Sequence, residues 1–88
     1  MEESTVKLSE ILQYMQSEIG HLYPETEYKS IRRLVFDRLT NVQPIDFHLK
    51  PNLEISEDIF EKIKSIVADL KVFKPLQYIL GEIGRAHV

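Results

Sequence analysis

Few residues of this chain are of a type and spacing that could do chemistry, and folding accounts for most of those. His21, His48 and His87 share no ligand spacing, there is no cysteine, and no pair of carboxylates completes a set that would hold a metal ion. Ser56 has neither a nearby histidine nor an oxyanion-forming glycine turn, so it reads as a helix cap rather than a nucleophile. Gly20, Gly81 and Gly84 do not form a phosphate-cradling loop. The sequence therefore predicts no catalytic, cofactor-binding or metal-ligating residue in this chain. Two groups remain. Lys29, Arg32, Arg33 and Arg38 form a possible partner-contact face, suited to phosphates or an acidic partner, whose plainer reading is a solvated helix surface carrying ion pairs. The segment Lys74-Pro75-Leu76-Gln77-Tyr78-Ile79-Leu80-Gly81-Glu82 carries one amide and one phenol ahead of a Gly-Glu pair, and packing needs do not explain it.

The elements that position these groups read as helices. Leu8, Ile11, Leu12, Met15, Ile19 and Leu22 recur at helical spacing. Ser4 or Thr5 is the expected N-cap and Gly20 the expected stop, giving a first helix from about Val6 to Ile19. Pro24 breaks the pattern. Thr26 offers a cap for a second helix with Tyr28, Ile31, Leu34, Val35 and Leu39 on one face, while Phe36 lies off that stripe and suggests burial on a second side. Glu25 and Lys29, and Arg33 and Asp37, are spaced to pair on its wet face. Pro44 suits the first turn of a short helical stretch from Ile45 to Leu49. Ser56, followed by Glu57 and Asp58, is a strong helix start, and Ile59, Phe60, Ile63, Ile66, Val67 and Leu70 then run three and four apart. Pro75 ends that helix or begins a new turn, after which Leu76, Ile79 and Leu80 can fold back. Nothing alternates with period two, so no strand is expected. The predicted fold is all-α, a compact bundle of four or five short helices, because isolated helices below about 12 to 15 residues need tertiary partners.

Composition narrows the classes. The 88 residues are 43% hydrophobic and 28% charged, with a net charge of −3, which suits one small globular domain and argues weakly against nucleic-acid binding through net charge. No run approaches the roughly 20 apolar residues of a membrane span, and Glu2 and Glu3 have the wrong sign for a signal peptide. The absence of cysteine fits a reducing compartment. A cytoplasmic location is expected.

Pro75-Leu76-Gln77-Tyr78-Ile79-Leu80-Gly81-Glu82 resembles the junction between the helical N-terminal domain and the catalytic domain of bacterial peptide chain release factor N5-glutamine methyltransferases, the HemK/PrmC family. Weaker similarities lie in Thr5-Val6-Lys7 with the helix after it, in Glu27 to Leu39, and in the Ile55-Ser56-Glu57 cap. The resemblance implies that residues 1–82 are a release-factor-recognition domain and that Gln77, Tyr78, Gly81 and Glu82 set an interdomain junction. It implies a parent enzyme that transfers a methyl group from S-adenosylmethionine to the glutamine of the release factor's Gly-Gly-Gln loop. The cofactor loop and the Asn-Pro-Pro-Tyr motif of such a catalytic domain are absent from this chain, so no catalytic residue carries over. After Glu82 the sequence departs from the family's pattern, and residues 83–88 read as a tail whose native origin is left open. The implied partners are release factors and the parent's own catalytic domain, with no membrane.

Two other classes stay open on sequence grounds. A free-standing helical adaptor would present an exposed apolar groove to a partner helix. A nucleic-acid binder would use the second helix and show steep salt dependence. DNA reading is the weaker of these, since the helix after Ser56 carries near-balanced charges and no Asn or Gln.

Overall fold

Two three-residue strands organise the chain, against the expectation that there would be none. A computed structural model describes residues 4–83, and in it β1 (Thr5–Lys7) pairs antiparallel with β2 (Glu54–Ser56) in the register Thr5 to Ser56, Val6 to Ile55 and Lys7 to Glu54. The remaining elements are helical: α1 (Leu8–Ile19), α2 (Glu25–Leu39), α3 (Asp46–Leu49), α4 (Glu57–Lys71) and α5 (Leu76–Ile83). The fold is mostly helical with five helices, as the spacing predicts, plus this one small ladder. Three residues of alternation are too few to stand out in a sequence, and the pairing is fixed by a partner nearly fifty positions away.

The ladder changes how α1 begins. Thr5 and Ser4 do not cap it; Lys7 occupies the N-cap position in extended conformation and its side chain makes no capping bond. The free N–H groups of the first turn are satisfied from across the ladder instead, Leu8 donating to the Leu53 carbonyl at 2.8 Å and Ser9 to the Pro51 carbonyl at 2.9 Å. At the start of α4 the predicted local signal holds. The Ser56 hydroxyl accepts from the Asp58 N–H at 3.1 Å, and the Glu57 N–H reaches the Ser4 carbonyl at 3.0 Å.

Helix α2 starts two residues ahead of the position its expected cap would set. Pro24 sits at the N-cap and its carbonyl accepts from the Tyr28 N–H at 2.8 Å, which leaves Thr26 exposed within the first turn. The helix buries Tyr28, Ile31, Val35 and Phe36, so it does face two sides. Leu34, placed on the apolar stripe by spacing, is instead 38% exposed. Phe36 meets Phe47 of α3 edge-on, ring centroids 5.2 Å apart, and Tyr14 of α1 meets Phe60 of α4 in the same way at 5.5 Å. Leu8, Ile11, Met15 and Ile19 from α1, with Ile63, Ile66, Val67 and Leu70 from α4, form the centre of the core, and Ile79 and Leu80 of α5 close it. Gly20 ends α1 as expected, in right-handed conformation. A Cβ there would lie 2.5 Å from the Gln16 carbonyl oxygen, which accounts for glycine at that point.

Among the described residues no helix is long and apolar enough to cross a membrane. Beyond Ile83, the tail expected over residues 83–88 lies outside the described residues. Phe36 is fully buried between two elements, so Phe36→Ala is expected to lower the unfolding free energy by about 3 to 5 kcal/mol in urea titration. A loss below about 1 kcal/mol would mean that α2 packs on one side only.

Candidate functional site

The segment singled out by sequence begins where α4 stops. Phe73 takes φ 61°, the left-handed region that a bulky side chain rarely enters. The Phe73 N–H donates to the Leu70 carbonyl at 2.9 Å and the Lys74 N–H to the Asp69 carbonyl at 3.2 Å, the paired bonds of a Schellman stop with phenylalanine where glycine is usual. The left-handed conformation costs about 1 to 2 kcal/mol, offset in part by an aromatic contact: Phe73 leans on Tyr23, centroids 5.5 Å apart. Tyr23 also donates its hydroxyl to the Leu70 carbonyl at 2.8 Å, capping a terminal carbonyl of α4 from the α1–α2 loop. Lys71 reaches Glu18 of α1 at 2.7 Å, and the hydrogen bond and charge of that carboxylate raise the lysine's pKa.

Pro75 then opens α5. Its carbonyl accepts from the Tyr78 and Ile79 N–H groups, each at 3.1 Å, so the proline serves as the start of a new helix rather than only the end of the old one. Along α5, Ile79 and Leu80 are buried while Gln77, Tyr78 and Gly81 are exposed. A Cβ on Gly81 would meet nothing within 4 Å, so packing inside this domain does not call for glycine there. Glu82 lies on the same helix. A surface cleft of about 530 Å³ opens between α2 and the α4–α5 turn, lined by Tyr23, Ile31, Leu34, Phe73, Leu76 and Gln77 among others.

The four basic residues do not act as one patch. Lys29 pairs with Glu25 at 3.2 Å on the exposed face, as expected, an interaction of little energetic weight. Arg38 is committed internally, its Nη1 donating to the Leu80 carbonyl at 2.9 Å and so tying the end of α2 to α5. Arg32 is half-buried against aromatic rings, 4.8 Å from the centroid of Phe47 and 5.5 Å from that of Tyr28. Arg33 is exposed, and among the described residues its expected pair with Asp37 does not form. The Tyr28 hydroxyl and the Arg32 Nε are both buried without a hydrogen-bond partner among the described residues. Burial pushes the Tyr28 phenol above its ordinary range, and the neighbouring Arg32 opposes that shift without taking up hydrogen-bond geometry. His21 and His48 are exposed, and among the described residues no cluster of three metal-ligating side chains occurs.

A sequence model of the PrmC N-terminal domain matches residues 10–81, from the first turn of α1 to the exposed glycine of α5. The chain belongs to the PrmC N-terminal domain family. No curated protein and no solved structure matches it. For a PrmC N-terminal domain the matched span takes in both candidate faces and stops within the segment that first suggested the family. Sequence reasoning missed Tyr23 and Phe47, and placed Tyr28 on the apolar face of α2 without its contact to Arg32. Tyr23 carries no local signal, since its hydrogen-bond acceptor is 47 residues away, and the aromatic surroundings of Arg32 join α2 to α3 only once both are folded.

Tyr23→Phe is expected to cost about 0.5 to 1.5 kcal/mol through loss of its bond to Leu70. Phe73→Gly should change stability by less than about 1 kcal/mol, because released strain and lost ring contact oppose each other. Denaturant titration reads both, and a loss above about 2 kcal/mol for Phe73→Gly would show that the left-handed turn stores no strain.

For Tyr28 the folded pKa lies above the unfolded one, so its contribution is intact below the unfolded pKa of about 10 and is lost as pH rises through the folded value. Tyr28→Phe is therefore expected to flatten the alkaline fall in stability, measured as urea midpoints from about pH 9 upward. An unchanged slope would place the titration elsewhere.

Proposed function

We propose that this chain is the substrate-recognition and positioning domain of a protein-(glutamine-N5) methyltransferase acting on peptide chain release factors in the cytoplasm. The family match over residues 10–81 carries this reading, because it spans the bundle and runs into the Pro75–Gly81 junction. The pattern of exposure on α5 supports it. Ile79 and Leu80 hold the helix to the bundle, and Gln77, Tyr78 and Gly81 face away from it, where a second domain would sit.

On this reading the methyl donor, S-adenosylmethionine, is held by the parent's catalytic domain. Gly20 closes α1 and Gly81 lies within α5. The bundle's part is to bind the release factor away from the reacting atoms, so that its Gly-Gly-Gln loop is presented in one orientation. Binding energy realised at such a distance raises the rate by positioning, and misplacement by about 1 Å can cost on the order of 100-fold. The basic residues of α2 favour a protein partner over nucleic acid. A phosphate track needs successive free cations, whereas Lys29 is paired and Arg38 is engaged with a backbone carbonyl.

The test is methyl transfer from labelled S-adenosylmethionine to a release factor by the full-length parent, with and without residues 1–82. A fall in kcat/KM of about 100-fold on deletion, with the catalytic domain still folded and binding cofactor, is the expected result. Undiminished transfer by the shortened enzyme would end the proposal.

A further inference from the structure

Arg32 is a half-buried cation with no counter-ion among the described residues. The nearest acidic side chains of its own helix are otherwise disposed: Glu25 is paired with Lys29 at 3.2 Å, and neither Glu27 nor Asp37 forms an ion pair with it. The contacts with Phe47 and Tyr28 keep its guanidinium in place, which removes much of the entropy that a free arginine loses on binding. Two shallow crevices, of about 270 and 200 Å³, share Lys29 and Arg32 in their lining. Tyr28 lines the larger one beside the Glu25–Lys29 ion pair, is only 3% exposed, and carries a hydroxyl with no hydrogen-bond partner among the described residues. A half-buried cation whose buried Nε–H lacks a partner, beside an unsatisfied phenol, is costly in isolation and calls for an acceptor.

We propose that Arg32, set against Tyr28 and Phe47, is the docking point for a single carboxylate side chain, aspartate or glutamate, on the protein substrate. This rests on the reading of the chain as a recognition domain and narrows it to one contact. Charge complementarity selects the occupant. A carboxylate matches the forked guanidinium N–H groups two at a time and accepts from a phenol as well. A polyanion fits poorly, because Glu25, Glu27 and Asp37 share the helix and the chain is net negative. Arg33 flanks the site and supplies attraction at longer range, while Lys29 is held by Glu25. Arg38 has no part in it.

The test uses this chain and a release factor in titration calorimetry at fixed salt. Arg32→Gln is expected to weaken binding by about tenfold or more, and Arg32→Lys by nearly as much, since an ammonium cannot reproduce the fork. Exposed Arg33→Gln should cost less than about threefold. Circular dichroism and melting of each variant separate a lost contact from a lost fold, and the lysine variant retains the stem that packs on the rings.

If the wild-type chain binds and both Arg32 variants bind within about twofold of it, the site is overturned while the recognition reading stands. If the wild-type chain does not bind any release factor, the recognition reading falls, and a second titration decides the site alone. There N-acetylglutamate is the probe and the Arg32 Nε–H resonance the readout. A saturating shift absent in Tyr28→Phe supports the site, and no shift up to about 0.1 M overturns it. Arg32-dependent binding of a single-stranded RNA oligomer, falling steeply with salt, would reassign the residue to phosphate and overturn the carboxylate proposal.

Discussion

The fold depends on the short ladder that joins the starts of α1 and α4. Those two helices supply the fully buried centre of the core, and each begins with N–H groups that its own turns cannot satisfy. The ladder answers both needs at once. Leu53 and Pro51 carbonyls take the first donors of α1, and the Ser4 carbonyl takes the first donor of α4. A side-chain cap would satisfy one helix end alone, whereas paired backbone satisfies two and sets the distance between them. The apolar stripes of α1 and α4 therefore meet in one register, and α2 and α5 pack on a platform already fixed.

What was legible in the sequence follows from how local each cause is. Ser56, Glu57 and Asp58 announce α4 because a hydroxyl and two carboxylates act within one turn. Pro44 and Pro75 are equally readable, since proline limits its own backbone wherever it stands. The strands are not readable, because Val6 and Ile55 become partners only when the intervening helices bring them together. The Thr26 cap failed for a related reason: the Pro24 carbonyl was in place to accept from Tyr28, and the helix began before the hydroxyl was needed. At Phe73 the residue type points away from the turn it makes, and only the ring of Tyr23 explains why phenylalanine stands there.

The candidate faces divide along the same line. The junction motif was legible as a string of residue types, and the family match runs through most of it. Formal charge was a poorer guide. Lys29, Arg32, Arg33 and Arg38 count equally in a sequence, yet folding pairs one with a carboxylate, sets one against two rings, leaves one in solvent and bonds one to a backbone carbonyl. A cation's availability depends on what folding has already given it to hold, which neighbours along the chain report for Lys29 but not for Arg32 or Arg38.

The bond from Arg38 to the Leu80 carbonyl has a mechanical side. It joins the far end of α2 to α5 by a charge-assisted hydrogen bond from one guanidinium nitrogen to the backbone, a directional link where apolar packing is not. The bond fixes where the far end of α2 sits against α5. Without that bond, the contact between the end of α2 and α5 would rest on side-chain packing alone.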